Sequence, residues 1–226
     1  MIVCHEKKLI FLKTKKTAGT SLEIALAGHC GPRCIITKIS ETDESLRQAL
    51  GYPGPQNYSF KQRRKIIWRE RVEFRKHMSV NDARALLPKK VWDNYCKFTI
   101  VRDPFDRAIS RYYWDLSRGK VEDIAFDEFY EKFPERLHEN IKIAPLNDTT
   151  QLNFHLRYEY LEDDMHKNNL GFLWKTFQGV RAKTGHRPRS GSGTVEMYKK
   201  YPTVAKLIEE SCQEEIKRFG YQAPLV

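Results

Sequence analysis

The chain has 226 residues, with 40 Lys and Arg against 29 Asp and Glu, a formal net charge of +11. That length fits one domain, residues 1–226, with a sizeable core, and the basic balance suits anionic ligands or nucleic acid. No stretch reaches the roughly 18 apolar residues of a membrane span, and no signal-like apolar run opens the chain, so a soluble, cytoplasmic protein is expected.

In chain order, Leu9 to Leu12 is a continuous apolar run, the pattern of a strand buried on both faces. Small residues follow in Thr17-Ala-Gly-Thr-Ser21, and Leu22 to Leu26 then has helical spacing. Cys34 to Ile39 is a second strand candidate, and Tyr52 to Asn57 is a loop by its turn residues. Lys61 to His77 carries eight Lys and Arg among Ile66, Ile67, Trp68, Val72 and Phe74. It reads either as a solvated helix face or as the rim of a site for an anionic acceptor.

Helical turns are expected over Val80 to Leu87 and Val91 to Tyr95, leading into a buried strand from Phe98 to Val101. Pro104 suits the first turn of the next helix, and Asp103 can cap it. Arg107 is assigned either to an ion pair with Asp103 or to a ligand. A short helix over Asp127 to Phe133 follows, then a poorly periodic loop from Asn140 to Gln151, placed over an acceptor site. Leu152 to Arg157 is the next strand, a helix starts near Leu161, Gly185 to Gly193 is a basic loop, and Tyr201 to Phe219 is a final amphipathic helix. Alternating strands and helices predict an α/β fold with three layers, α/β/α, around a central parallel sheet, ligands lying at the carboxyl ends of the strands.

Two segments share one layout: an apolar strand ends in anion-binding residues and passes directly into a helix, whose N-terminus favours phosphate or sulfate. In the first, Lys16 adjoins the turn. It is not the nucleotide-triphosphatase loop, because the leading glycine and the Lys directly before a hydroxyl residue are missing. In the second, Arg102 leaves the strand with a planar fork suited to bidentate phosphate binding, and Ser110 lies two helical turns on. Two such segments suggest a ligand with two anionic ends.

The pair resembles the nucleotide-binding segments of the sulfotransferases that use 3′-phosphoadenosine 5′-phosphosulfate (PAPS), nearest to the carbohydrate branch that includes the heparan sulfate 2-O-sulfotransferases. Lys16-Thr-Ala-Gly-Thr-Ser21 resembles the 5′-phosphosulfate loop, and Arg102-Asp-Pro-Phe-Asp-Arg-Ala-Ile-Ser110 the 3′-phosphate segment. His77-Met-Ser, Arg157-Tyr-Glu-Tyr-Leu-Glu-Asp163 and Phe219-Gly-Tyr221 match further family segments in order. Lys15 stands where the family commonly has Pro, and Arg187 to Gly193 matches no late nucleotide loop closely.

The resemblance implies the sulfotransferase variant of the P-loop-nucleotide-hydrolase-like fold. It implies PAPS as co-substrate, held by Lys16, Thr17, Ala18, Gly19, Thr20, Ser21, Arg102, Ser110 and Tyr158, the last against the adenine. Lys16 would stabilise the leaving phosphate and His77 would be the general base, with His155 and His5 as weaker candidates. The acceptor implied is a hydroxyl, of a glycan or glycolipid. No metal is expected: Cys4, Cys30, Cys34, Cys96 and Cys212 are odd in number and scattered, and the C-x-x-x-C spacing of Cys30 and Cys34 lacks a second ligand pair. The alternatives are a kinase-like phosphotransferase, which lacks a Walker-type lysine here, and a basic nucleic-acid-binding protein, which leaves the two strand-turn-helix segments unexplained.

Overall fold

A computed structural model describes residues 1–63, 69–146, 152–182 and 185–224. The chain opens with β1 (Ile2–Cys4), β2 (Leu9–Phe11), α1 (Gly19–Ala27), β3 (Ile35–Ile36) and α2 (Glu41–Ala49). A separate hairpin, β4 (Ser59–Arg63) and β5 (Arg69–Glu73), precedes α3 (Val80–Leu86), α4 (Lys89–Asn94), β6 (Cys96–Val101) and α5 (Pro104–Ser117). Then come α6 (Phe126–Lys132), α7 (Glu139–Ile143), β7 (Phe154–Arg157), α8 (Leu161–Lys167) and α9 (Gly171–Gln178), and the described chain closes with α10 (Thr194–Lys200), α11 (Pro202–Ser211) and α12 (Gln213–Phe219).

The main sheet has the order β3-β1-β2-β6-β7 and is mixed. β2, β6 and β7 pair in parallel, whereas β1 is antiparallel to both β2 and β3. The expected all-parallel sheet is therefore corrected at one strand. Only residues 5–8 join β1 to β2, too short a link for a crossover, so the pair closes as a hairpin. β3 then returns to the direction of β2 by way of α1. Among the described residues, no helix is long and apolar enough to cross a membrane.

Alternate side chains of the strands feed two apolar clusters, which is why the run at Leu9 carries no polar face. Leu9, Phe11, Phe98 and Ile100 pack with Leu22, Leu26, Met165 and Leu173. Ile10 and Leu12 pack with Phe74, Val80, Leu87 and Trp92. A third cluster joins Phe105, Ile109, Phe126, Phe129, Tyr198 and Ile208, so α5, α6, α10 and α11 form a helical lobe beside the sheet.

Three expectations change. The described part of Lys61 to His77 is the β4–β5 hairpin rather than a helix face, with Phe60 opposite Val72 and the Phe60 and Phe74 rings 5.7 Å apart. A two-residue apolar period wins there; Ile66, Ile67 and Trp68 lie outside the described residues. The final helix is two helices, broken at Cys212, whose backbone leaves the helical region (φ −116°, ψ 23°). Arg107 does not pair with Asp103: its guanidinium is buried against the Glu215 carboxylate of α12 in a two-pronged ion pair.

Gly19 opens α1, and a Cβ there would lie 2.8 Å from Lys13 Cγ and 3.4 Å from the Thr14 carbonyl oxygen. Lys13 is tied by an ion pair to the buried Glu23 and cannot swing aside. Gly19→Ala is expected to destabilise the protein by about 1–3 kcal/mol, read from the urea midpoint at unchanged m.

Candidate functional site

The chain leaves β2 and β6 side by side into a cleft of about 1150 Å³. Lys16, residues 17–21, His77, Arg102, Ser110 and Tyr158 all line it. His5 and His155 do not. His5 bonds the Tyr95 hydroxyl at the β1–β2 turn (2.7 Å), and His155 lies in β7 against Phe219, its pKa pushed down to about 4 by burial and by Arg218.

The loop before α1 takes its shape from backbone handedness. Lys16 and Ala18 both have positive φ, 61° and 58°, on either side of Thr17. Alternation of this kind turns successive N–H groups toward a common concavity, the geometry of an anion nest. These residues, rather than Gly19, bear the left-handed strain; glycine is needed at 19 for space. The Thr17 side chain is buried and bonds Thr14 Oγ1 (2.9 Å), which in turn donates to the Ile100 carbonyl, so Thr17 has only its N–H to offer a ligand. Ser21 Oγ accepts from the Ala182 N–H at 3.1 Å. The first turn of α1 carries no acidic residue, which leaves its positive end available to an anion.

Two side chains from distant segments brace this loop. The Asn140 amide accepts from the Lys15 N–H (2.7 Å) and donates to the Lys15 carbonyl (2.9 Å), closing a two-bond clamp. Arg102 Nη1 donates to the Lys16 carbonyl at 2.9 Å, joining the two strand-turn-helix segments directly. The guanidinium also grips Asp106 through Nε and Nη2 and lies 4.2 Å from the Tyr158 ring centre. Three of its five N–H groups are engaged and its plane is fixed, so little conformational entropy remains to be lost on meeting a phosphate. Asp106 also accepts from Arg187 Nη1 (2.5 Å), so one carboxylate orients an arginine from each of two loops. Burial pushes the Asp106 carboxyl upward, yet the two guanidiniums hold it below its usual range.

Asp103 caps α5 as expected, accepting from the Phe105 N–H at 2.9 Å. Burial, with Glu159 and Asp106 nearby, raises its pKa to about 6. Lys16 stands over the Trp114 ring, 4.3 Å from its centre.

His77 closes the other side. Its Nδ1 is 3.0 Å from the Lys13 carbonyl oxygen. A carbonyl only accepts, so Nδ1 carries the proton and Nε2 keeps its lone pair, the tautomer a base requires. Burial and the Lys13 ammonium push the His77 pKa down to about 3. Beneath it, Lys13 and the Met1 amino group both pair with Glu23, which is fully buried. Burial alone would raise the Glu23 carboxyl; the two cations bring it to about 2.

The structure adds Lys13, Asp106, Trp114 and Asn140 to the residues expected from sequence. Trp114 follows Ser110 by four, one face of α5, so helical spacing points to it, whereas Asp106 in the first turn of α5 meets Arg102 just before the helix begins. Asn140 carries no local signal. The acceptor loop expected over Asn140 to Gln151 is described only to residue 146, where α7 fills its first part; residues 147–151 lie outside the described residues. The late loop is described from Gly185, with residues 183–184 outside.

No curated protein and no solved structure matches the chain. The model of the sulfotransferase family matches residues 1–222, nearly the whole length and both strand-turn-helix segments. The chain belongs to the sulfotransferase family.

Proposed function

We propose that the protein transfers a sulfuryl group from PAPS to a carbohydrate hydroxyl, in the manner of the branch that includes the heparan sulfate 2-O-sulfotransferases. The whole chain acts as one domain, and its helix-flanked sheet is the three-layer, P-loop-like sulfotransferase fold. The observation that carries this reading is the meeting of both anion-binding segments at one cleft, bridged by the Arg102 bond to the Lys16 carbonyl. Family membership supports sulfuryl transfer over the kinase-like and nucleic-acid-binding alternatives. The five cysteines are free thiols, in keeping with a reducing, cytoplasmic setting.

The donor set suits a 3′,5′-substituted nucleotide. The N–H groups of residues 17–21 would hold the 5′-phosphate, Arg102 and Ser110 the 3′-phosphate, and Tyr158 the adenine edge of the cleft. PAPS supplies the sulfuryl group. Lys16 neutralises charge growing on the bridging oxygen as the sulfur–oxygen bond breaks, and His77 Nε2 takes the acceptor proton as the in-line attack proceeds. The depressed His77 pKa keeps the ring neutral and proton-free at Nε2. An anion in the cleft offsets the Lys13 charge and raises that pKa, strengthening the base when ligand is present.

Calorimetric titration with 3′-phosphoadenosine 5′-phosphate (PAP) beside 5′-AMP and ATP tests the cofactor. Preferential binding of the 3′,5′-bisphosphate is expected, weakened roughly 10- to 100-fold by Arg102→Ala, as for loss of a charge-assisted hydrogen bond. Equal binding of the three nucleotides would overturn the reading.

Turnover tests the two catalytic assignments. Lys16→Ala should lower kcat by about 10²- to 10³-fold, a larger effect than its weakening of PAP binding. His77→Ala should lower kcat by about 10²- to 10⁴-fold. Because its folded pKa lies below the ordinary value, His77 in the free protein protonates only in strong acid. The acid limb of kcat/KM is therefore expected well below pH 6, with that of kcat at higher pH; a kcat/KM limb near the ordinary histidine value of about 6.5 would remove His77 from the base role.

A further inference from the structure

We propose that Cys4, Cys30, Cys34 and Glu6 form a binding site for a thiophilic divalent cation of the zinc class, at the end of the sheet away from the cleft. The three sulfur atoms lie within 4.8 Å of one another. Glu6 Oε2 sits 2.6 Å from Cys34 Sγ and 3.9 Å from Cys4 Sγ, beside one edge of the sulfur group, from which the exposed carboxylate would swing inward to supply the fourth ligand. A tetrahedral zinc with Zn–S near 2.3 Å needs sulfurs about 3.8 Å apart, a closure of about 1 Å at most.

The chain spacing of Cys30 and Cys34 gave no hint of further ligands because they come from elsewhere. Cys4 ends β1 and Glu6 lies in the β1–β2 turn; the other two thiols lie in the loop between α1 and β3. Gly31, inside that loop, makes room for the carboxylate: a Cβ there would lie 2.2 Å from Glu6 Oε1. The His5 N–H donates to Cys34 Sγ at 3.2 Å, the backbone support that a metal-bound thiolate commonly receives. The thiols are buried whereas Glu6 is exposed, which gives the ion an access route through the carboxylate.

Cys4 pairs with Leu9, the residue of β2 farthest from the cleft, and none of the four proposed ligands lines the cleft. The site is structural: the ion fastens β1, its turn, the end of α1 and the start of β3. On binding, the thiols lose their protons to solvent and sulfur–metal bonds replace three weak contacts, Cys34 to Glu6, Cys4 to the His29 carbonyl and Cys30 to the Leu26 carbonyl.

The test loads the reduced, full-length protein with zinc, removes free metal, and measures bound zinc by mass spectrometry and melting temperature with and without a chelator. One zinc per chain and a melting temperature lowered by chelation are expected. Cys30→Ser should lose at least nine-tenths of the metal, whereas Cys96→Ser and Cys212→Ser keep it. Should Cys30→Ser fail to fold, Glu6→Gln, at an exposed position, serves instead and should weaken zinc at least tenfold. Absence of retained zinc in the folded protein, retention unchanged in Glu6→Gln, or recovery of two of the three thiols as a disulfide from reduced preparations would overturn the assignment.

Discussion

The parallel register of β2 on β6, Leu9 opposite Cys96 and Phe11 opposite Phe98, is the constraint on which the rest depends. It brings two distant stretches of chain to one level, so that two helices begin beside each other and point their positive ends into shared space. A shift along the strands would separate the Lys16 carbonyl from Arg102 and dissolve the cleft. The apolar side chains make such a shift costly, because a one-residue slip would exchange Leu9 and Phe11 with Ile10 and Leu12 between two differently shaped clusters.

Around the cleft, positive charge is concentrated yet tethered. Arg102 and Arg187 share Asp106, and Lys15 and Arg111 share Glu139, while Lys13 rests on Glu23. Each carboxylate keeps a cation ordered without cancelling the excess of basic groups. These cations are thus held in place before any ligand arrives, which lowers the reorganisation that binding the proposed nucleotide would need.

Much of this was legible in the sequence because it is local. The apolar runs at Leu9 and Phe98, the Asp103-Pro104 helix start and the Arg102 to Ser110 spacing each carry their own period or cap. β1 escaped notice because three residues are too few to show a period, and the hairpin at Lys61 was obscured by its basic composition. The Asn140 clamp has no signature, since its partner is the backbone of a residue far away. Lys15, which departs from the family's usual Pro, gains meaning only here: its N–H donates to Asn140, a bond that proline cannot make. The thiol cluster was equally hidden, assembled by the β1–β2 turn and the end of α1.

All nine residues of α1 are buried, Glu23 among them, so this helix has no solvent-facing side. A helix of that kind, about 13 Å long, has no soft direction in which to rock or roll. It behaves as a strut set in packing on every side. A push at one end arrives at the other as displacement, because there is no water layer in which it can dissipate. The loop at its N-terminus is therefore mounted on one of the stiffest parts of the molecule, and whatever steadies the far end of α1 also sharpens the aim of that loop's N–H groups.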